Sequence, residues 1–264
     1  PLCLVGSEMC IRDRLVTLHS KILGGSKKNI LILHGFLGSG DNWISIARKL
    51  NLLGHTVHLI DQRNHGRSFH SEKFDYNLMC EDLFNYIKHH NIDNSILIGH
   101  SMGGKTAMNF SLIHPKLVSK LIVLDTSPRG YPVLHQNIID SLKEIDFSVF
   151  VTRKEIDIEL RKSINQEGLR NFLMKNIYRM NDGKLNFRFN LKSLSENIGR
   201  IGQKIESDTN FNREVIFIKG ETSDYINESD KIMINNLFPN AKFYKILNAG
   251  HWLHVDNPTD FISV

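Results

Sequence analysis

Short apolar runs alternate with longer amphipathic stretches along most of the chain. LVTLHSKI (15–22), NILILH (29–34), TVHLI (56–60), SILIG (95–99), KLIVL (120–124), EVIFIK (214–219) and KFYKIL (242–247) predict strands. Their near-continuous hydrophobicity is what a strand needs when both faces of its sheet are covered. Between them, NWISIARKLNLL behind Asp41 and Asn42, YNLMCEDLFNYIKHH and MGGKTAMNFSLIH space their apolar residues at helical intervals. DNPTDF announces a last helix, with Asn257 as N-cap and Pro258 at the first helical position. This alternation predicts an α/β fold with a mostly parallel, doubly wound sheet.

Residues 131–210 break the pattern. They hold no convincing strand but several helical repeats: VLHQNIIDSLKEI, KEIDIELRKSI, EGLRNFLMKNI and LKSLSENIGRI. Such a segment between two sheet strands reads as a helical cap inserted into a core made of residues 15–130 and 211–264. It would lie over the C-terminal edge of the sheet, where open α/β sheets bind ligands.

Composition narrows the function classes. A chain of 264 residues buries a sizeable core without metals or staples. The net charge of +5 comes without any long basic run, so a solvated surface is expected and nucleic acid is not a partner. Cys3, Cys10 and Cys80 form no CxxC pair and no metal-ligand spacing, which fits a reducing, cytoplasmic compartment. No apolar run reaches the roughly 18 residues of a membrane span. The stretch VGSEMCIRDR resembles translated sequencing-adapter read-through, so residues 1–14 are set aside as non-native. DFISV stops inside what should be a helix, and the chain is read as a fragment at both ends, a monomer or small homo-oligomer.

The chemistry centres on GHSMGGKT (99–106), which satisfies two motifs at once. As G-x-x-x-x-G-K-[ST] it would cradle a phosphate, with Lys105 and Thr106 serving a nucleotide and its metal, and KLIVLD (120–125) imitates a metal-holding strand. Against this, His100 and Met102 would crowd a backbone wrap, and the loop follows the fourth predicted strand rather than the first. As G-x-S-x-G it is a nucleophile elbow that holds Ser101 out on a strained turn. Gly99 and Gly103 lack the Cβ atoms that would clash there. Free N–H groups at the following helix favour developing negative charge, and Lys105 and Thr106 become ordinary helix residues.

An elbow serine needs a base, and the chain order Ser, acid, His puts it after the last strand. Among 13 histidines, His251 follows KFYKIL through the short turn NAG, which returns it toward the elbow. His251 and His254 have loose metal-ligand spacing, but no third ligand cluster accompanies them. Two N–H donors must face the oxyanion. Met102, the residue after the nucleophile, supplies one, and Phe36 in HGFLGS supplies the other, its side chain expected to line the acyl pocket.

In order, HGFLGSGDNW, DQRNHGRS, GHSMGGK, LDTSPR and AGHWLHVDNP resemble the α/β-hydrolase superfamily. Within it they are similar to the branch of small bacterial esterases and acyl thioesterases and their mitochondrial relatives, over residues 15–264. The resemblance implies a serine hydrolase acting on small-molecule carboxylic esters or acyl thioesters beneath a helical cap, with neither metal nor organic cofactor. Many α/β-hydrolases carry the acid after the penultimate strand, which matches Asp224. The branch resembled here carries it one strand earlier, matching Asp125, with a serine at the later slot, matching Ser223. Asp125 follows its strand directly and is favoured; Asp224 remains the other candidate.

Three further features need a role. DQRNHGRS (61–68) reads as charge-paired packing beneath the site. Arg129 would meet an anionic acyl group or coenzyme A phosphates, or form a structural ion pair. Trp43 and Trp252 read as packing residues. The remaining functional alternatives are a nucleotide-binding protein using GHSMGGKT and a non-catalytic binding module on the same scaffold.

Overall fold

The structure is a computed structural model and describes residues 17–264. The set-aside segment 1–14, with Cys3 and Cys10, lies outside them, as does the start of LVTLHSKI. The central sheet begins with β1 (Ser20–Leu23), β2 (Asn29–Leu33), β3 (Thr56–Ile60), β4 (Ser95–His100) and β5 (Val118–Leu124). A separate antiparallel ribbon, β6 (Ile177–Arg179) and β7 (Leu185–Phe187), comes next, and β8 (Glu214–Gly220) and β9 (Ala241–Ile246) complete the sheet. The sheet order is β1-β3-β2-β4-β5-β8-β9, with β1 antiparallel to β3 and every other pairing parallel.

Alternation along β2 shows how the sheet buries both faces. Ile30 and Ile32 join Val57, Ile98 and Phe261 on one side; Leu31 and Leu33 join Leu97, Met108 and Phe217 on the other. The first face is covered by α1 (Ile44–Leu52) and by the C-terminal helices, the second by α2 (Tyr76–His89) and α3 (Met102–Ile113). Asp75 caps α2 by accepting the Leu78 N–H at 2.8 Å. The expected cap of α1 at Asp41 and Asn42 is instead a short 3-10 turn, Gly40–Trp43, that begins at Ser39. Asn42 closes it by accepting the Ser39 N–H.

Between β5 and β8 the chain leaves the sheet. This excursion holds α4 (Gln136–Lys143), α5 (Arg153–Arg161), α6 (Glu167–Met174), α7 (Leu191–Glu196) and α8 (Ile198–Ile201). The β6–β7 ribbon within it corrects the reading of 131–210 as free of strands. Its turn carries Asp182–Gly183, with Gly183 at φ 86°, a hairpin signal flanked by strands of three residues each. Ile139, Leu142, Ile156, Leu160, Leu173 and Leu194 give the excursion its own apolar cluster, which reaches Phe36 and Met102. It departs and returns side by side: Tyr131 N–H donates to the Gly202 carbonyl and Ile205 N–H to the Pro128 carbonyl, both at 2.8 Å.

The chain then forms α9 (Asp230–Leu237), a helix the apolar pattern does not announce, followed by α10 (Leu253–Asp256) and α11 (Pro258–Ser263). Asn257 caps α11 by accepting the Asp260 N–H, with Pro258 at its first position. No helix among the described residues is long and apolar enough to cross a membrane. Successive strands are added on opposite sides of β2 and β4, so the loops after those two strands diverge and leave a crevice between them.

Candidate active site

That crevice is where the chemistry-bearing loops meet. β4 runs into α3 through Ser101, whose φ of 53° and ψ of −116° lie in a region a side chain rarely occupies. Close packing holds the strain in place. A Cβ on Gly99 would stand 2.3 Å from the Gly103 carbonyl oxygen, and one on Gly103 would stand 2.3 Å from that of Leu33. The Ser101 N–H donates to the Leu124 carbonyl at 3.0 Å, which pins the elbow to the end of β5.

The residue just past β5 is Asp125, wholly buried and also at positive φ. Its Oδ2 accepts from His251 Nδ1 at 2.7 Å and from the Ser223 hydroxyl at 2.5 Å, while its Oδ1 accepts the Gly220 N–H at 3.1 Å. The Nδ1–H donated to this carboxylate fixes the His251 tautomer and leaves Nε2 free. Two further contacts hold the imidazole. His100 Nε2 donates to the His251 carbonyl at 2.8 Å, and the Tyr225 ring stacks on the imidazole with centroids 4.0 Å apart. Asp224 is exposed, and its backbone carbonyl, not its carboxylate, is engaged, by Arg129.

Ser101 and His251 line the same cavity, of about 310 Å³. No hydrogen bond joins the serine hydroxyl to the imidazole in this structure. Such contacts are often long before substrate arrives. Phe36 and the loop after β2 form one wall of the cavity, and Leu169 and Phe172 of α6 form another. Among the described residues, the Phe36 and Met102 N–H groups have no protein acceptor.

The loop carrying Phe36 is held by two histidines that motif reading passes over. His34 Nε2 accepts the Gln62 N–H at 3.0 Å while its Nδ1 donates to the Gly35 carbonyl. His65 Nε2 accepts the Leu37 N–H at 3.1 Å while its Nδ1 donates to the Arg63 carbonyl. Both must be neutral to accept. Burial lowers the His34 pKa, and burial with His34 beside it brings His65 down to about 3. In the same segment Arg63 grips Asp82 through two contacts, and Asp61 accepts the Gly40 and Arg67 N–H groups. DQRNHGRS is therefore a scaffold for the neighbouring loop. The signal for His65 was its place in that polar cluster; its acceptor role depends on a contact 28 residues away in sequence.

Several expectations need correction. Lys105 is not an ordinary helix residue: it is buried, its ammonium donates to the carbonyls of Arg129 (2.7 Å) and Gln203, and it lies over the Tyr131 ring. Burial, with Arg129 nearby, lowers its pKa to about 7. It thus clasps both ends of the excursion and has no freedom to hold a phosphate. Lys105→Met is expected to cost about 2–4 kcal/mol, since both carbonyls lose their donor, read as a lower urea midpoint. A nucleotide site would instead lose ATP affinity with stability intact. Arg129 is paired with Asp230 at 3.2 Å, the structural role of the two considered. Trp43 is buried against His254, and both it and Trp252 contribute to the cavity wall, beyond the packing role expected of them. His254 joins no cluster of three potential ligands among the described residues.

Comparison with known proteins identifies the fold family. The profile of the alpha/beta hydrolase fold matches residues 28–258. The chain is 38% identical over 247 residues to an sn-1-specific diacylglycerol lipase, ABHD11, of Danio rerio, covering 90% of this chain and 77% of that one. It is 32% identical over 232 residues to Esterase YbfF of Escherichia coli, covering 87% of this chain and 88% of that one. A solved marine microorganism esterase superposes with a TM-score of 0.92 at 45% identity, covering 94% of this chain and 97% of that one.

Proposed function

The chain belongs to the alpha/beta hydrolase fold family and is a hydrolase of its esterase/lipase type, and from that premise we propose that Ser101 attacks carboxylic esters or acyl thioesters. His251 Nε2 takes the Ser101 proton as Oγ bonds to the carbonyl carbon. Asp125 holds the imidazole by its Nδ1–H and stabilises the imidazolium that forms. The Phe36 and Met102 N–H groups face the oxyanion, one such donor being worth about 3 kcal/mol. His251 then protonates the departing alcohol or thiol, and water activated by the same imidazole releases the acid and restores Ser101. These steps use the side chains and backbone amides of the chain together with water. Residues 131–210 act as a cap over a core of residues 15–130 and 211–264, closing the cavity against bulk water.

The observation that carries this reading is the buried Asp125–His251 contact of 2.7 Å beneath a serine held at positive φ on the same cavity. A fluorophosphonate probe is expected to add to Ser101, located by peptide mass spectrometry, and to abolish ester hydrolysis in step. Folded wild-type protein that resists the probe sinks the proposal.

A further inference from the structure

Ser101 borders two cavities of very different size. The larger, about 310 Å³, is shared with His251, Phe36, Trp252 and Phe172. The second, about 20 Å³, is lined by Ser101 together with Met102, Tyr131, Ile201 and Tyr225. His251 borders the first and not the second. Tyr225 explains the difference. Its ring lies against the imidazole with planes 18° apart, and it also walls the small recess, so it separates the imidazole from that recess, while His135 borders both cavities. Its backbone is fixed there: Tyr131 Oη donates to the Tyr225 carbonyl at 2.6 Å, and the Tyr225 N–H donates to Ser223 Oγ at 3.3 Å.

This separation assigns the two halves of an ester, given the reading of Ser101 and His251 proposed above. The leaving oxygen or sulfur must receive its proton from His251 Nε2 at roughly 2.6–3.2 Å, so it belongs in the large cavity. The acyl substituent needs no proton and points to the other side of the carbonyl, into the recess. A space of about 20 Å³ holds little more than one water-sized group. We infer that the site is selective for short-acyl, acetyl-like esters or thioesters of an extended apolar alcohol or thiol. In the reaction the Ser101 Oγ–acyl bond forms and the bond to the leaving atom breaks. The serine proton leaves with the alcohol or thiol, and water then releases the short acid. On this assignment Phe36, expected to line the acyl pocket, faces the leaving group instead.

The test is a two-way series of esters. Going from p-nitrophenyl acetate to butanoate to octanoate, kcat/KM is expected to fall at each step by at least the about tenfold cost of a methylene that a pocket cannot house. From ethyl acetate to octyl acetate it is expected to rise. Ile201→Ala, which widens the recess without touching Ser101, Asp125 or His251, is expected to raise the butanoate-to-acetate ratio by about tenfold. Ile198→Ala, on the same helix and also lining the recess, widens it independently should the first variant fail to fold. Faster hydrolysis of ethyl octanoate than of octyl acetate, or an unchanged ratio in a folded variant, overturns the assignment while leaving the nucleophile intact. Absence of both hydrolysis and probe labelling overturns the parent reading with it.

Discussion

Asp125→Asn is expected to lower kcat by about 10⁴-fold, whereas Asp224→Asn is expected to stay within about twofold of wild type. The Asp125 carboxylate accepts from His251 Nδ1, Ser223 Oγ and the Gly220 N–H. An amide there offers one acceptor and one donor. It leaves Nδ1 facing an N–H or forces the imidazole into the tautomer whose Nε2 already carries a proton, and that tautomer cannot take one from Ser101. Asp224 is solvent-exposed and its carboxylate holds no part of this array. Steady-state rates on one activated ester, with circular dichroism to verify folding, decide the matter. A larger loss for Asp224→Asn would reverse the assignment.

Acid should destabilise the fold well before its carboxylates protonate. Burial lowers the pKa of His65 and His254 to about 3 and that of His135 to about 4, with His34 and His100 lowered as well. Folded values below the ordinary 6.5 mean that the unfolded chain binds more protons in between. Stability is therefore intact above about pH 6.5 and falls as pH drops through the window below it, by about 1.4 kcal/mol per pH unit for each group. His65, His135 and His254 alone remove about 6 kcal/mol by pH 5, a large share of the about 5–15 kcal/mol that holds a domain together. The melting temperature is expected to drop by about 10–20 °C between pH 7 and pH 5, measured by scanning calorimetry. His254→Phe keeps the stack on Trp43, whose ring lies 3.8 Å from that of His254, and should flatten the slope. A melting temperature level down to pH 5 would disprove the account.

How much of this was readable in advance follows from which interactions are local. Ile30 to Leu33 announce a strand covered on both sides because every residue of the run is apolar. Gly99 announces the elbow because the clash it avoids, with Gly103, is confined to a few residues, whereas Gly103 answers to the distant Leu33. The β6–β7 ribbon carries its turn signal in Asp182–Gly183, but three-residue strands are too short to show alternation. α9 is short, and its apolar stripe is interrupted by Asn235 and Asn236. Lys105 sits where helical periodicity permits an exposed charge. Only the packed excursion reveals that it is enclosed. The choice between Asp125 and Asp224 turns on which loop curves toward His251, and no local pattern carries that: it is Asp125 that accepts from the imidazole, and Tyr225, one residue past Asp224, that stacks on it.

The paired stretches at Tyr131–Gly202 and Pro128–Ile205 bring the two feet of residues 131–210 together at a narrow neck. What lies beyond that neck meets the core again at a few points: Asn176 Nδ2 donates to the Leu37 carbonyl, Asn64 Nδ2 to Ser193 Oγ and Tyr76 Oη to the Ile201 carbonyl. Doubling the length of a flexible insert whose ends already meet costs only about 0.6 kcal/mol. A chimaera carrying a homologue's version of this segment therefore has to match the scaffold at the neck and at those contacts, while the length of chain between them can diverge among relatives at small cost.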